Sequence, residues 1–95
     1  MDDKSAYKKK MEAKIDEINA EIQRLRAKAK GAEADAELKA RDWIASLESK
    51  RDHLSGKLAE LRQSTGESWK DIREGLDHAY AEMEQALTKA FARYK

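Results

Sequence analysis

Residues able to do chemistry are sparse in this chain of 95 amino acids. Its two histidines are His53 and His78, with Glu74 and Asp77 close to the second. If the segments around them pair antiparallel, the two imidazoles stand at one level, as a metal site would begin. Zinc and related ions need at least three convergent ligands. Glu74 and His78 share a helix face, but the facing segment offers only His53, and the Glu-x-x-His motif of di-iron bundles is absent. The pair reads as two solvent-facing polar residues, with no metal expected.

Nucleophiles and acid–base pairs are equally unsupported. The lack of cysteine excludes disulfides, thiol catalysis and Cys-type zinc sites. Asp and Glu number 19, yet a catalytic carboxylate needs a pocket that desolvates it, and a seam between two helices has none. Ser64, Thr65 and Ser68 have no base at a fixed relation to them and are better caps than nucleophiles. Gly31, Gly56, Gly66 and Gly75 are scattered and build no phosphate-binding loop. The expectation is a protein that is not an enzyme, with no cofactor and no small-molecule substrate.

Charge narrows the partners. Twenty basic and 19 acidic residues leave a formal charge of +1, without the basic excess of a nucleic-acid binder. Lys8-Lys9-Lys10 follows Asp2-Asp3 and reads as a solvated end. Trp69, Tyr80, Phe91 and Tyr94 lie on a segment that ends with Lys89, Arg93 and Lys95. Such a segment can lie on a membrane surface, the alternative function carried here. Its polar face mixes both signs, so core packing is preferred. The first residues contain no apolar signal-peptide region, and no window is apolar enough to span a bilayer. A cytoplasmic location is expected.

The elements that must position these residues are helices. Ala, Glu, Lys, Leu and Arg supply 55 of the 95 residues, and proline and valine are absent. Apolar residues recur at Met11, Ile15, Ile18, Ile22, Leu25, Ala29, Ala32 and Ala36 in alternating steps of four and three, a heptad seam. The stripe continues through Ala40, Trp43, Leu47, Arg51, Leu54, Leu58 and Leu61 with extra steps of four, which locally straighten a supercoil. Arg51 can pack its stem there while its guanidinium reaches water. Ser64-Thr65-Gly66-Glu67 breaks the pattern and has the form of a capping box, with Ser68 a competing N-cap. A second seam follows at Trp69, Ile72, Leu76, Ala79/Tyr80, Met83, Leu87, Ala90 and Tyr94.

The fold class is therefore all-α. The preferred reading is a single domain, 1–95, with a long helix over 5–63, a turn at 64–67 and a second helix over 68–94. Gly31 sits among helix formers and the heptad phase runs through it unbroken. The alternative is a compact three-helix bundle with a turn at Gly31. Folded at 64–67, the two seams meet antiparallel, with Leu61 facing Trp69, Leu58 Ile72, Leu54 Leu76 and Leu47 Met83. Trp43, Leu47, Leu54, Leu58, Leu61, Trp69, Ile72, Leu76, Met83 and Leu87 make the hairpin core. Met11, Ile15, Ile18, Ile22 and Leu25 then lack a partner in the chain, so residues 7–35 are expected to self-associate, first as a homodimer. In the bundle alternative the arm folds back, with Ile18 near Ile44 and Ile15 near Leu47.

The chain also resembles a known family. Ala6-Tyr7-Lys8-Lys9-Lys10-Met11-Glu12-Ala13-Lys14 opens it, and Ala20-Glu21-Ile22-Gln23-Arg24-Leu25-Arg26-Ala27-Lys28-Ala29 and Ala32-Glu33-Ala34-Asp35-Ala36 follow. Lys57-Leu58-Ala59-Glu60-Leu61-Arg62 and Gly66-Glu67-Ser68-Trp69-Lys70-Asp71-Ile72 come next, then Gly75 and the Ala79-Tyr80 pair. In this order they resemble small bacterial coiled-coil proteins labelled stress-response proteins, found in cyanobacteria and many proteobacteria. The resemblance runs over nearly the whole chain, with the Gly-x-x-Trp segment its most specific part. It implies a bacterial, helical, stress-linked protein and brings no catalytic residue or cofactor. Relatives with ordinary helix formers at the position of Gly31 favour the continuous helix. Together these readings point to a non-enzymatic coiled-coil assembly or scaffold protein.

Overall fold

A computed structural model of the chain describes residues 3–93. Tyr94, expected on the second seam, lies outside them. Three helices follow one another: α1 (Asp3–Lys30), α2 (Ala34–Gln63) and α3 (Trp69–Ala92). Among the described residues there is no strand. The molecule measures 52 × 19 × 17 Å. A 30-residue helix alone is about 45 Å long, so the helices lie side by side.

The continuous helix over 5–63 does not form. It is interrupted at Gly31, Ala32 and Glu33, and the molecule is the three-helix bundle. Burial is the physical reason. Folding α1 back leaves Met11, Ile15, Ile18, Ile22 and Leu25 each at most 8% exposed. Covering five such side chains is favourable by on the order of 10 kcal/mol. The hydrogen bonds forgone in one turn cost about 1 kcal/mol each. The seam expected to lack a partner has one in its own chain. It lies in the same core as Ala40, Ile44, Leu47, Leu54, Leu58 and Leu61 of α2 and Trp69, Leu76, Met83 and Leu87 of α3. Trp43 and Ile72 of the expected hairpin core are only partly buried. Buried residues among those described are all apolar.

The α1–α2 register differs from the one expected for a folded-back arm. The Lys4 ammonium donates to the Ser64 carbonyl at 2.6 Å, and the Arg51 guanidinium donates to Asn19 Oδ1 at 3.1 Å. The Arg62 guanidinium meets Glu12 at 2.8 Å, and Arg26 pairs with Glu48. Facing residue numbers thus total about 70, roughly two helical turns beyond the pairing of Ile18 with Ile44 and Ile15 with Leu47. The reversal is centred beyond Gly31, not on it. Between α2 and α3 the departure from the expected pairing is smaller: Trp43 lies under the Arg93 guanidinium at 3.9 Å, and His53 lies on one face with Ala79 and Glu82.

The second turn is built differently from the capping box. Ser64 caps the end of α2, its hydroxyl donating to the Leu61 carbonyl at 2.6 Å. Gly66 takes a left-handed φ of +61°, which glycine adopts without Cβ strain. Ser68 is the N-cap position of α3 but makes no side-chain cap bond; its hydroxyl donates to the Thr65 carbonyl at 2.7 Å. Glu67 instead pairs with Lys70 at 2.5 Å.

Gly56 and Gly75 lie within α2 and α3, where an added Cβ would meet nothing within 4 Å. No close helix crossing requires either glycine. Gly56→Ala and Gly75→Ala should each stabilise the fold by about 0.5–1 kcal/mol, read from urea denaturation midpoints. Ile18→Asp places a carboxylate in the core and should unfold the monomer, with loss of helical circular dichroism. A folded variant altered only in mass would contradict the bundle.

Candidate functional site

The metal-type residues do not converge. His53 and His78 are both exposed. His53 borders a shallow depression with Ala79 and Glu82, on a face also holding Ser49 and Lys50. Among the described residues no three of His, Cys, Asp or Glu gather as ligands. The apolar side of α3, with Trp69, Leu76, Met83 and Leu87, is buried in the bundle and does not face outward. No described helix is long and apolar enough to cross a membrane.

The α1–α3 edge is the most open side of the bundle. Both outer helices pack closely on α2, whereas α1 and α3 touch much less. The heptad pattern explains this. α1 has one apolar stripe, and its buried residues belong to the core shared with α2. A groove of about 480 Å³ results, running between Lys14–Glu21 of α1 and Tyr80–Ala92 of α3. Its floor is Ile18 and Leu87, each nearly fully buried. Tyr80 and Phe91, partly buried, form its walls. Glu17, Glu21 and Glu84 stand on the rim against one ammonium, Lys14.

Polar contacts bridge the edge where packing does not. The Tyr7 hydroxyl donates to Asp77 Oδ1 at 2.5 Å, and its ring stands 6.4 Å from that of Trp69 at a tilt of 44°. Further along, the Lys14 ammonium sits 4.2 Å from the centre of the Tyr80 ring. Arg24 covers Phe91 at 5.1 Å. Each pairs a cation with the negative face of an aromatic ring and is worth about 0.5–1 kcal/mol where exposed. Arg73 over Trp69, at 5.2 Å, repeats the arrangement within α3. Cations on aromatic faces are this bundle's recurrent way of closing its edges.

Two phenols register this environment. Burial first, then the hydrogen bond to Asp77, pushes Tyr7 well above the ordinary phenol range. Burial, then the hydrogen bond and charge of Glu84, pushes Tyr80 up to about 12, with Glu17 and Glu21 adding to the effect. Nothing in the linear order of residues marked Lys14, Arg24, Glu17, Glu21 and Glu84 as a group. Their nearness depends on α1 lying beside α3, which the continuous-helix reading forbids.

Both phenols hold their proton more firmly folded than unfolded, where the value is near 10. Their contribution to stability is full below pH 10 and is lost as pH rises toward 12 and beyond. Urea midpoints measured from pH 9 to 12 should fall less steeply for Tyr7→Phe/Tyr80→Phe than for the wild type. Identical slopes would dissociate these phenols from the edge contacts. No family model matches the chain, and no curated protein and no solved structure shows significant similarity to it.

Proposed function

We propose that this protein is a non-enzymatic helical assembly module whose α1–α3 groove receives a helix carrying Lys or Arg beside an apolar face. One observation supports this above the others. The groove has an apolar floor of Ile18 and Leu87, aromatic walls of Tyr80 and Phe91, and a rim where Glu17, Glu21 and Glu84 outnumber Lys14 and the Arg24 guanidinium over Phe91. From Tyr80 to Phe91 it runs about 17 Å, three turns of a docked helix. Helix-in-groove binding needs such a strip of apolar anchor positions. The carboxylates favour a cationic partner and disfavour an acidic one. The chain's own Lys14 and Arg24 over these rings illustrate the contacts that a partner's cations would make.

The bacterial and stress-linked part of the reading rests on the family resemblance alone, as does a cytoplasmic setting. Self-association through a preformed free arm is not part of it, because the seam from Met11 to Leu25 is buried within the chain. A lipid-surface role would require α3 to leave the bundle and expose Trp69, Leu76 and Met83.

Calorimetric titration with two helical peptides tests the proposal. Both carry the same leucine face, one flanked by lysines and the other by glutamates. The lysine peptide should bind, more weakly as salt is raised. It should lose at least tenfold in affinity on Glu17→Lys/Glu21→Lys/Glu84→Lys protein that circular dichroism shows to be folded. Equal binding of both peptides, or of neither, overturns the reading.

A further inference from the structure

The two turns of this bundle are held very differently. At the second, Gly66 is left-handed, the hydroxyls of Ser64 and Ser68 are engaged, and Lys4 reaches from α1 to the Ser64 carbonyl. The first consists of Gly31, Ala32 and Glu33 alone. Gly31 has no positive φ, and a Cβ there would meet only the Lys28 carbonyl at an ordinary 3.7 Å. The N-cap residue of α2, Glu33, makes no side-chain cap bond. The turn's backbone bonds run from Gly31 N–H to the Lys28 carbonyl at 3.2 Å and from Ala32 N–H to the Ala29 carbonyl at 3.1 Å. Both are tightened helical bonds that winding the segment into α-helix would replace.

The apolar phase supports such winding. Leu25, Ala29, Ala32, Ala36 and Ala40 continue one stripe across the turn, so straightening it carries α1 onward without rotating its seam out of register. A straightened helix cannot cover that seam with its own α2, but the α2 and α3 of a second copy present the same surface. The α1–α2 cross-links place facing residue numbers at a total of about 70, so two straightened chains lie antiparallel about a twofold axis near residue 35. That axis falls among Ala29, Ala32, Ala34, Ala36 and Ala40, small side chains that let two backbones approach.

We infer that the chain forms a dimer with a second copy of itself by exchanging α1: the turn at 31–33 opens, α1 and α2 become one helix, and each α1 occupies the place its counterpart vacates. Every core contact of the monomer is kept: those between α2 and α3 stay within each chain, and those of α1 now run between chains. The monomer–dimer balance is then set by the hinge and by concentration, because short hinges lacking a fixed turn favour exchange. This exchange is independent of what the α1–α3 groove holds, since the groove is rebuilt at each end of the dimer.

Two hinge variants pull in opposite directions. Ala34 is the first residue of α2, and Glu33 before it is extended, with φ −62° and ψ 156°. Proline fits that position in the closed turn and suits the extended residue before it. Inside a continuous helix it would break the backbone. Gly31→Ala is sterically free in the closed turn and favours the continuous helix. The three proteins are refolded from urea at high and low concentration, then measured by size-exclusion chromatography with light scattering and by small-angle X-ray scattering.

Wild type should show a dimer fraction that rises with refolding concentration. Gly31→Ala should lower the dimer dissociation constant about thirtyfold, roughly fivefold for each of two glycines. Ala34→Pro should remain folded and monomeric throughout. The dimer's longest dimension should reach about 90 Å, the length of residues 3–63 as one helix, against 52 Å for the Cα positions of the monomer. Dimer in Ala34→Pro at the wild-type fraction, a compact dimer, or monomer only in both wild type and Gly31→Ala would each overturn the exchange.

Discussion

The covering of one apolar stripe governs this molecule. Met11, Ile15, Ile18, Ile22 and Leu25 recur on a single face of α1, and a helix so patterned is stable in water only when that face is hidden. Burial of five large side chains outweighs the hydrogen bonds of one turn several-fold. The chain therefore breaks where breaking is least costly, at a glycine in a run of small residues. The rest follows. α2 becomes the shared partner of both outer helices, and its buried set from Ala40 to Leu61 lies between them.

Because α2 takes most of the packing, α1 and α3 meet at an edge held by polar and cation–aromatic contacts. Tyr7 reaches Asp77, Lys14 covers Tyr80 and Arg24 covers Phe91. Such contacts are individually weak and tolerate separation, so the edge stays open enough to leave a groove with an apolar floor. A chain so rich in charge uses its cations twice, for solubility and to shield aromatics that the small core cannot enclose. Arg51 does something similar on the α1–α2 side. The charge that interrupts the apolar stripe is carried to the surface and tied to Asn19 and Asp52.

Much of this was legible beforehand. The all-α class, the break at 64–68, α3 and nearly every buried residue of α2 and α3 follow from periodicity. The α2–α3 pairing follows the antiparallel sense expected from the two seams, with Trp43 of α2 under Arg93 at the far end of α3. The capping box at Ser64 and Glu67 was misread, because the same serine can serve the end of one helix as well as the start of the next. Here the Leu61 carbonyl at the end of α2 accepts the Ser64 hydroxyl. The groove was invisible, since its residues come from helices far apart in sequence.

Spacing and side-chain type, both local properties, made the chain helical on either side of the 64–68 break and marked the face of each helix that must be buried. They did not determine which surface covers the α1 seam. Heptad continuity through Gly31 is equally compatible with a helix that runs on and one that turns back, since both bury the same stripe. Packing selects between them, because a matching apolar surface lies within reach of a three-residue turn. A surface on the same chain is available at far higher effective concentration than one on another molecule, which is why the covering found here is internal.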